Sequence, residues 1–196
     1  MLRRSFVVNY QIYLFAPPED GDPWAIAEAG PAQDVDPGPS KATAEVTNGR
    51  IATALATLDP TLEVFAFKHE ELARLAEITL EEARSRWRHY EIASPNEGTG
   101  IQVVLHDDWA TVSVPYLHSG PAAESVLATT WEYTRVVASM GSYFAFDRQI
   151  GRFLDFEADY DTFFAAYTAG EGETSELMVS VAMSGVRRPR VWWRFW

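Results

Sequence analysis

The stretch that decides the fold is Ile101 to Gly120, IQVVLHDDWATVSVPYLHSG. Two runs of strand composition flank Asp107 and Asp108, a pair that can serve as a two-residue turn because Asp tolerates left-handed backbone angles better than most residues. Such a loop pairs His106 with Trp109, Leu105 with Ala110, Val104 with Thr111, Val103 with Val112, Gln102 with Ser113 and Ile101 with Val114. Directly opposed residues share a face of the sheet. One face then holds Ile101, Val103, Leu105, Ala110, Val112 and Val114, all apolar. The other holds Gln102, Val104, His106, Trp109, Thr111 and Ser113 and is mixed. A slip of one residue would scramble this separation, so the pattern specifies its own register. Pro115 cannot donate to a ladder, and regular pairing is expected to loosen there.

Outward from the hairpin, the elements alternate in type. On the N-terminal side, Thr79-Leu80-Glu81-Glu82 fits a capping box that opens a helix over Leu80 to Arg86. Trp87 to Ala93 reads as a strand, with Tyr90 opposite Leu105. On the C-terminal side, Gly120-Pro121 opens a helix with Pro at its first position. Val126, Tyr133, Val137 and Met140 form its buried stripe, and Gly141 ends it. Tyr143–Phe146 and Arg152–Phe156 read as a second hairpin around Arg148-Gln149-Ile150-Gly151. A short helix follows from Asp159 to Ala169, closed by Gly170. The order from Leu80 onward is α-β-β-β-α-β-β-α. That is an α+β fold in which an antiparallel sheet buries one face against helices.

The first part of the chain adds a strand over Phe6 to Phe15, with Val8, Tyr10, Ile12 and Leu14 on one face. A Pro-rich loop over Ala16 to Pro39 follows, with a helical turn around Trp24 to Ala29. A helix runs from Ser40 to about Leu58, where Asp59-Pro60 stops it. A short strand over Thr61 to Phe67 and a helix over Lys68 to Glu77 complete this part. Residues 1–196 are expected to form one domain. Within it, 1–78 hold the first strand, the loop and the early helices, 79–170 the core sheet–helix unit, and 171–196 an aromatic and Arg-rich segment.

At 196 residues, 47% of them apolar, the chain can bury a substantial core. It has no Cys, which excludes disulfides and thiolate metal sites and fits a cytoplasmic protein. MLRRSFVVNYQIYLF imitates a signal peptide, but Asn9, Tyr10 and Gln11 interrupt the apolar run and no small-residue cleavage site follows. No apolar run approaches the roughly 20 residues a membrane span requires. The net charge of −12 argues against general nucleic-acid binding, since phosphate contacts need a basic surface. The charge is uneven. The last ten residues, RRPRVWWRFW, carry +4, which leaves −16 on the rest of the chain.

Three stretches resemble an uncharacterised group of bacterial proteins. They are the strand and Pro-rich entry Tyr10-Gln11-Ile12-Tyr13-Leu14-Phe15-Ala16-Pro17, the hairpin Ile101 to Tyr116, and the turn Phe146-Asp147-Arg148-Gln149-Ile150-Gly151, where Arg148 replaces the usual Pro. That resemblance implies no activity and no site residues. The element order from Leu80 to Gly170 is also similar to that of type III secretion chaperones and their relatives. This likeness implies a small, acidic, dimeric protein that binds a partner protein.

Chemistry-bearing residues are few. His89 is expected opposite His106, with Glu91, Trp109 and Thr111 on the same face. A His pair beside a carboxylate can do acid–base work or hold a metal. The bland alternative is a semi-polar outer face. His106 and His118 are separated by a strand length of roughly 30 Å, so a shared metal is not expected. Arg84, Arg86 and Arg88 are expected to pair with Glu81, Glu82 and Glu91 or to stack on Trp87. In the tail, Trp192, Trp193 and Trp196 either pack as a final strand, dock on the body, or anchor a partner. Glycine-rich phosphate loops and the common hydrolase motifs are absent from the sequence. The reading is a non-enzymatic, cytoplasmic protein that binds another protein or a second copy of itself, in a chaperone-like or immunity-like role. It needs no cofactor or metal and touches neither nucleic acid nor membrane. The competing reading is an enzyme or metal-binding protein using His89, Glu91 and His106.

Overall fold

In the computed structural model, which describes residues 9–16, 22–29, 42–94 and 98–170, the 101–114 hairpin closes as the pattern requires. The strands β4 (Gln102–Leu105) and β5 (Trp109–Pro115) pair antiparallel with Gln102 opposite Ser113, Val103 opposite Val112, Val104 opposite Thr111 and Leu105 opposite Ala110. The His106 N–H donates to the Trp109 carbonyl at 2.8 Å, closing the two-residue loop. All six residues of the apolar face are buried. Each such Val, Leu or Ile removed from water stabilises the fold by about 1.5–3 kcal/mol before entropy is counted. Pairing with β4 stops at Ser113, two residues short of Pro115.

Around this hairpin the described strands form one antiparallel seven-stranded sheet. β1 (Asn9–Phe15) lies on the far side of β5, with Ile12 opposite Val112 and Asn9 opposite Pro115. β2 (Glu63–Val64) and β3 (Tyr90–Ala93) extend the sheet beyond β4. β6 (Phe144–Asp147) and β7 (Arg152–Phe153) extend it beyond β1. The order is β2-β3-β4-β5-β1-β6-β7. The alternation in NYQIYLF suits the centre of a sheet: Tyr10, Ile12 and Leu14 enter the same core layer as Val103 and Val112.

Helices cover the apolar face. α5 (Gly120–Gly141) buries Ala123, Val126, Leu127, Thr130, Trp131, Tyr133, Thr134, Val137 and Ala138, a three-and-four spacing that makes one stripe. α2 (Ala42–Leu58) packs beside it through Ile51 and Leu55. The Tyr133 hydroxyl donates to Asp59 Oδ2 at 2.5 Å, just past the end of α2. Asp59 Oδ1 also accepts from the Thr61 N–H and hydroxyl, at 2.9 and 2.7 Å. The Tyr133 and Thr61 bonds hold its carboxyl below the ordinary range. A further helix, α6 (160–170), brings Phe163 and Tyr167 against Tyr10. On the other face α1 (Pro23–Ala29) lays Ala27 and Trp24 over Phe15, Phe146 and Phe153. No helix among the described residues is long and apolar enough to cross a membrane.

The α+β order expected from Leu80 onward is the one observed, as are α3 (His69–Ala76) and α4 (Leu80–Arg86). Several boundaries differ. The strand expected over Thr61 to Phe67 shrinks to β2, because only Glu63 and Val64 find ladder partners, on β3. The strand expected from Trp87 begins at Tyr90, because Trp87 is still the C-cap of α4. Ser142, not Gly141, takes the left-handed position that ends α5, with φ 54°. Gly141 is required for a different reason: a Cβ there would collide with the Tyr143 ring. Gly151 does fill its expected role, turning β6 into β7 at φ 66°.

The capping box at α4 forms in full. Glu82 N–H donates to Thr79 Oγ1 at 3.1 Å, and the Thr79 N–H donates back to Glu82 Oε2 at 2.7 Å. Thr79→Ala should therefore lower the unfolding free energy by about 1 kcal/mol in urea denaturation. An unchanged midpoint would show that α4 holds its start without the cap.

Candidate functional site

The helix-poor face of the sheet is where the sequence places its chemistry. Strand alternation sends Glu91, Val104, Thr111, Tyr13 and Phe146 to this face in cross-strand register. The turns at one end of the strands bring His89, His106 and Trp109 alongside them. Ring contacts then join residues from four strands, three loops and α1 into a belt. Phe67 meets His89 edge-on at 4.7 Å, His89 stacks on His106 at 4.8 Å, and His106 stacks on Trp109 at 3.7 Å. Trp109 is the cross-strand partner of Phe15, and Phe15 of Phe144. Phe153 closes the far end, 5.9 Å from Phe15, 5.7 Å from Phe144 and 4.9 Å from Trp24.

His89, Glu91 and His106 do converge. His89 Nε2 lies 3.1 Å from Glu91 Oε1, and Gln102 Nε2 donates to Glu91 Oε2 at 3.3 Å. Glu91 is buried and both histidines are partly buried. Burial, with the nearby His89 and Arg88, pushes the His106 imidazole down to about 3. His106 is thus neutral at physiological pH and a weak base. Its two ring faces stack against His89 and Trp109. The unfolded chain would protonate this ring below its ordinary value near 6.5, so its burial weakens the fold as pH falls through that range.

The remaining histidines are held by backbone. His118 Nε2 lies 2.7 Å from the Thr99 carbonyl, and His69 Nε2 lies 2.9 Å from that of Trp87. Among the described residues no group of three His, Cys, Asp or Glu is placed to hold a metal ion. Of the Arg cluster, Arg86 stacks over Trp87 at 5.5 Å, as expected. Arg88 instead reaches Asp107 in the hairpin loop, Nη2 to Oδ2 2.5 Å. The chain turns out of α4 before Arg88, which aims it away from Glu81 and Glu82. Trp192, Trp193 and Trp196 lie outside the described residues.

The sequence reading missed the far end of the belt. Trp24 and Phe144 are 44% and 43% exposed although Trp24 touches the buried Phe146 ring and both touch the half-buried Phe153. Phe144 and Phe146 alternate visibly in the sequence, but the return of α1 onto this face leaves no local trace. No protein-family model matches the chain, and no curated protein or solved structure matches it.

Proposed function

We propose that the protein acts in the cytoplasm by binding another protein, in a chaperone-like role, and that the aromatic belt is its contact surface. The observation that carries this reading is the belt's half-exposed end, where Trp24 and Phe144 stand over Phe153. Large rings that are rigid, partly buried beneath and open above are the usual anchors of a protein interface. The surrounding charge favours a client segment that is apolar with basic flanks, since the whole chain carries −12.

The test is the aggregation of reduced insulin B chain, followed by light scattering in the presence of the full chain. Wild type should delay it in proportion to concentration. The double variant Trp24→Ser/Phe144→Ser should lose most of the effect, each anchor carrying about 2 kcal/mol of binding. Both side chains are half-exposed, so its melting temperature should stay close to that of wild type. Failure of wild type to delay aggregation, or an equal delay by the variant, would remove the reading.

A further inference from the structure

On the opposite side of the β4–β5 turn lies a cleft of about 450 Å3 that the belt does not use. Its walls come from four elements: Glu45 and Asn48 of α2, Arg84 and Ser85 of α4, Arg88 and Tyr90 at the start of β3, and Asp107 of the hairpin loop. Asn48 is only 4% exposed. Its Nδ2 donates to the His106 carbonyl at 3.0 Å, while its Oδ1 is buried with no hydrogen-bond partner. An acceptor in that state costs about 1–3 kcal/mol unless something donates to it. Arg88 is fixed by Asp107, which leaves the cleft rigid on that side. Arg84 is exposed on the same wall.

The two walls differ in sign. α4 and β3 present guanidinium groups and hydroxyls, all able to donate. α2 presents the exposed Glu45 carboxylate, an acceptor, with the orphaned Asn48 amide oxygen buried beneath it. A ligand that satisfies both carries an anionic group at one end and an N–H donor at the other. We propose that this cleft binds a small zwitterion of the amino-acid or short-peptide class, with its carboxylate on Arg84 and its ammonium on Glu45. The volume lies in the roughly 300–1,000 Å3 range of small-molecule sites. This site is independent of the belt and stands or falls without it.

The probes are the free amino acids and glycylglycine, titrated into the full isotope-labelled chain and followed by amide shifts and by calorimetry. Free amino acids and the dipeptide are compared directly, which separates the two sources of the same chemistry. Saturable binding by at least one probe is expected, with shifts at Asn48, Ser85 and Asp107. Its N-acetyl and amide derivatives, each lacking one charge, should bind at least about tenfold more weakly, as should wild-type ligand to Arg84→Gln or Glu45→Gln. Both substituted residues are exposed, so unchanged melting temperatures should confirm that the variants fold. The proposal is overturned if no probe saturates, if a singly charged derivative binds as well as its parent, or if neither variant weakens binding.

Discussion

Asp147→Ala should lower the unfolding free energy by about 3–5 kcal/mol, measured by urea denaturation at neutral pH. Asp147 has no exposed surface although it stands next to the β6–β7 turn. Its Oδ2 accepts from the Tyr10 hydroxyl, which is itself buried in the core. Its Oδ1 accepts from Gln149 N–H at 2.9 Å and Ile150 N–H at 3.4 Å. Removing the carboxylate strands three donors at once, of which the Tyr10 hydroxyl is buried in the core. Asp147→Asn keeps an acceptor for the turn and a polar partner for Tyr10, so it should cost much less. Burial holds the Asp147 carboxyl above the ordinary carboxylate range, against the Tyr10 and backbone bonds that pull it down. The folded protein therefore retains a proton at pH values where the unfolded chain has lost it. This group stabilises the fold most in acid, and its contribution falls as pH rises from the unfolded value to the folded one. Stability of wild type relative to Asp147→Asn should decline across that window and then level off. A difference that is flat with pH would mean that Asp147 ionises in the fold as it does in the open chain.

Asp147 also marks where sequence reading stops. The turn around it was legible, because a short polar segment ending in Gly151 joins two aromatic strands. Its bond to Tyr10 was not, since 137 residues separate the two and neither end carries a local signal. The central hairpin is the opposite case. Its two faces differ so sharply in polarity that only one register satisfies them, and that register then placed His89 against His106. The capping box was legible for the same reason, because both bonds lie within four residues. What depends on long return paths was hidden: β1 slotting between β5 and β6, α1 lying over Phe146, and Arg88 choosing Asp107. The cleft belongs with these, because Asn48 and Asp107 meet only through the packing of α2 against the end of the hairpin. The half-exposed Trp24 likewise reads in the sequence as one aromatic opening a helical turn in a Pro-rich loop, with nothing to say what that turn packs on.

Phe163→Ala should destabilise the protein by about 3–5 kcal/mol in calorimetry and urea denaturation. Phe163 is fully buried where α5, α6 and β1 meet. Its ring stands edge-on to Tyr10 at 5.3 Å and lies 5.2 Å from Trp131 of α5. α6 has one other fully buried ring, Tyr167, whose hydroxyl donates to the Pro115 carbonyl at 2.6 Å and accepts from the His118 N–H at 3.3 Å. Losing Phe163 thus opens a cavity against β1 and removes one of the two fully buried rings of the helix. The neighbouring rings are held from several sides, so they cannot collapse into the space, and the cost should sit at the upper end for such truncations. Hydrogen exchange should show the loss unevenly: amides of α6 deprotect first, while those of β4 and β5 follow the global transition. Tyr167→Phe supplies the comparison, since it deletes only a hydroxyl and should cost about 1 kcal/mol. If Phe163→Ala proves no worse than Tyr167→Phe, α6 is held by its hydrogen bonds rather than by its rings, and the junction with Tyr10 contributes little to the stability of the sheet.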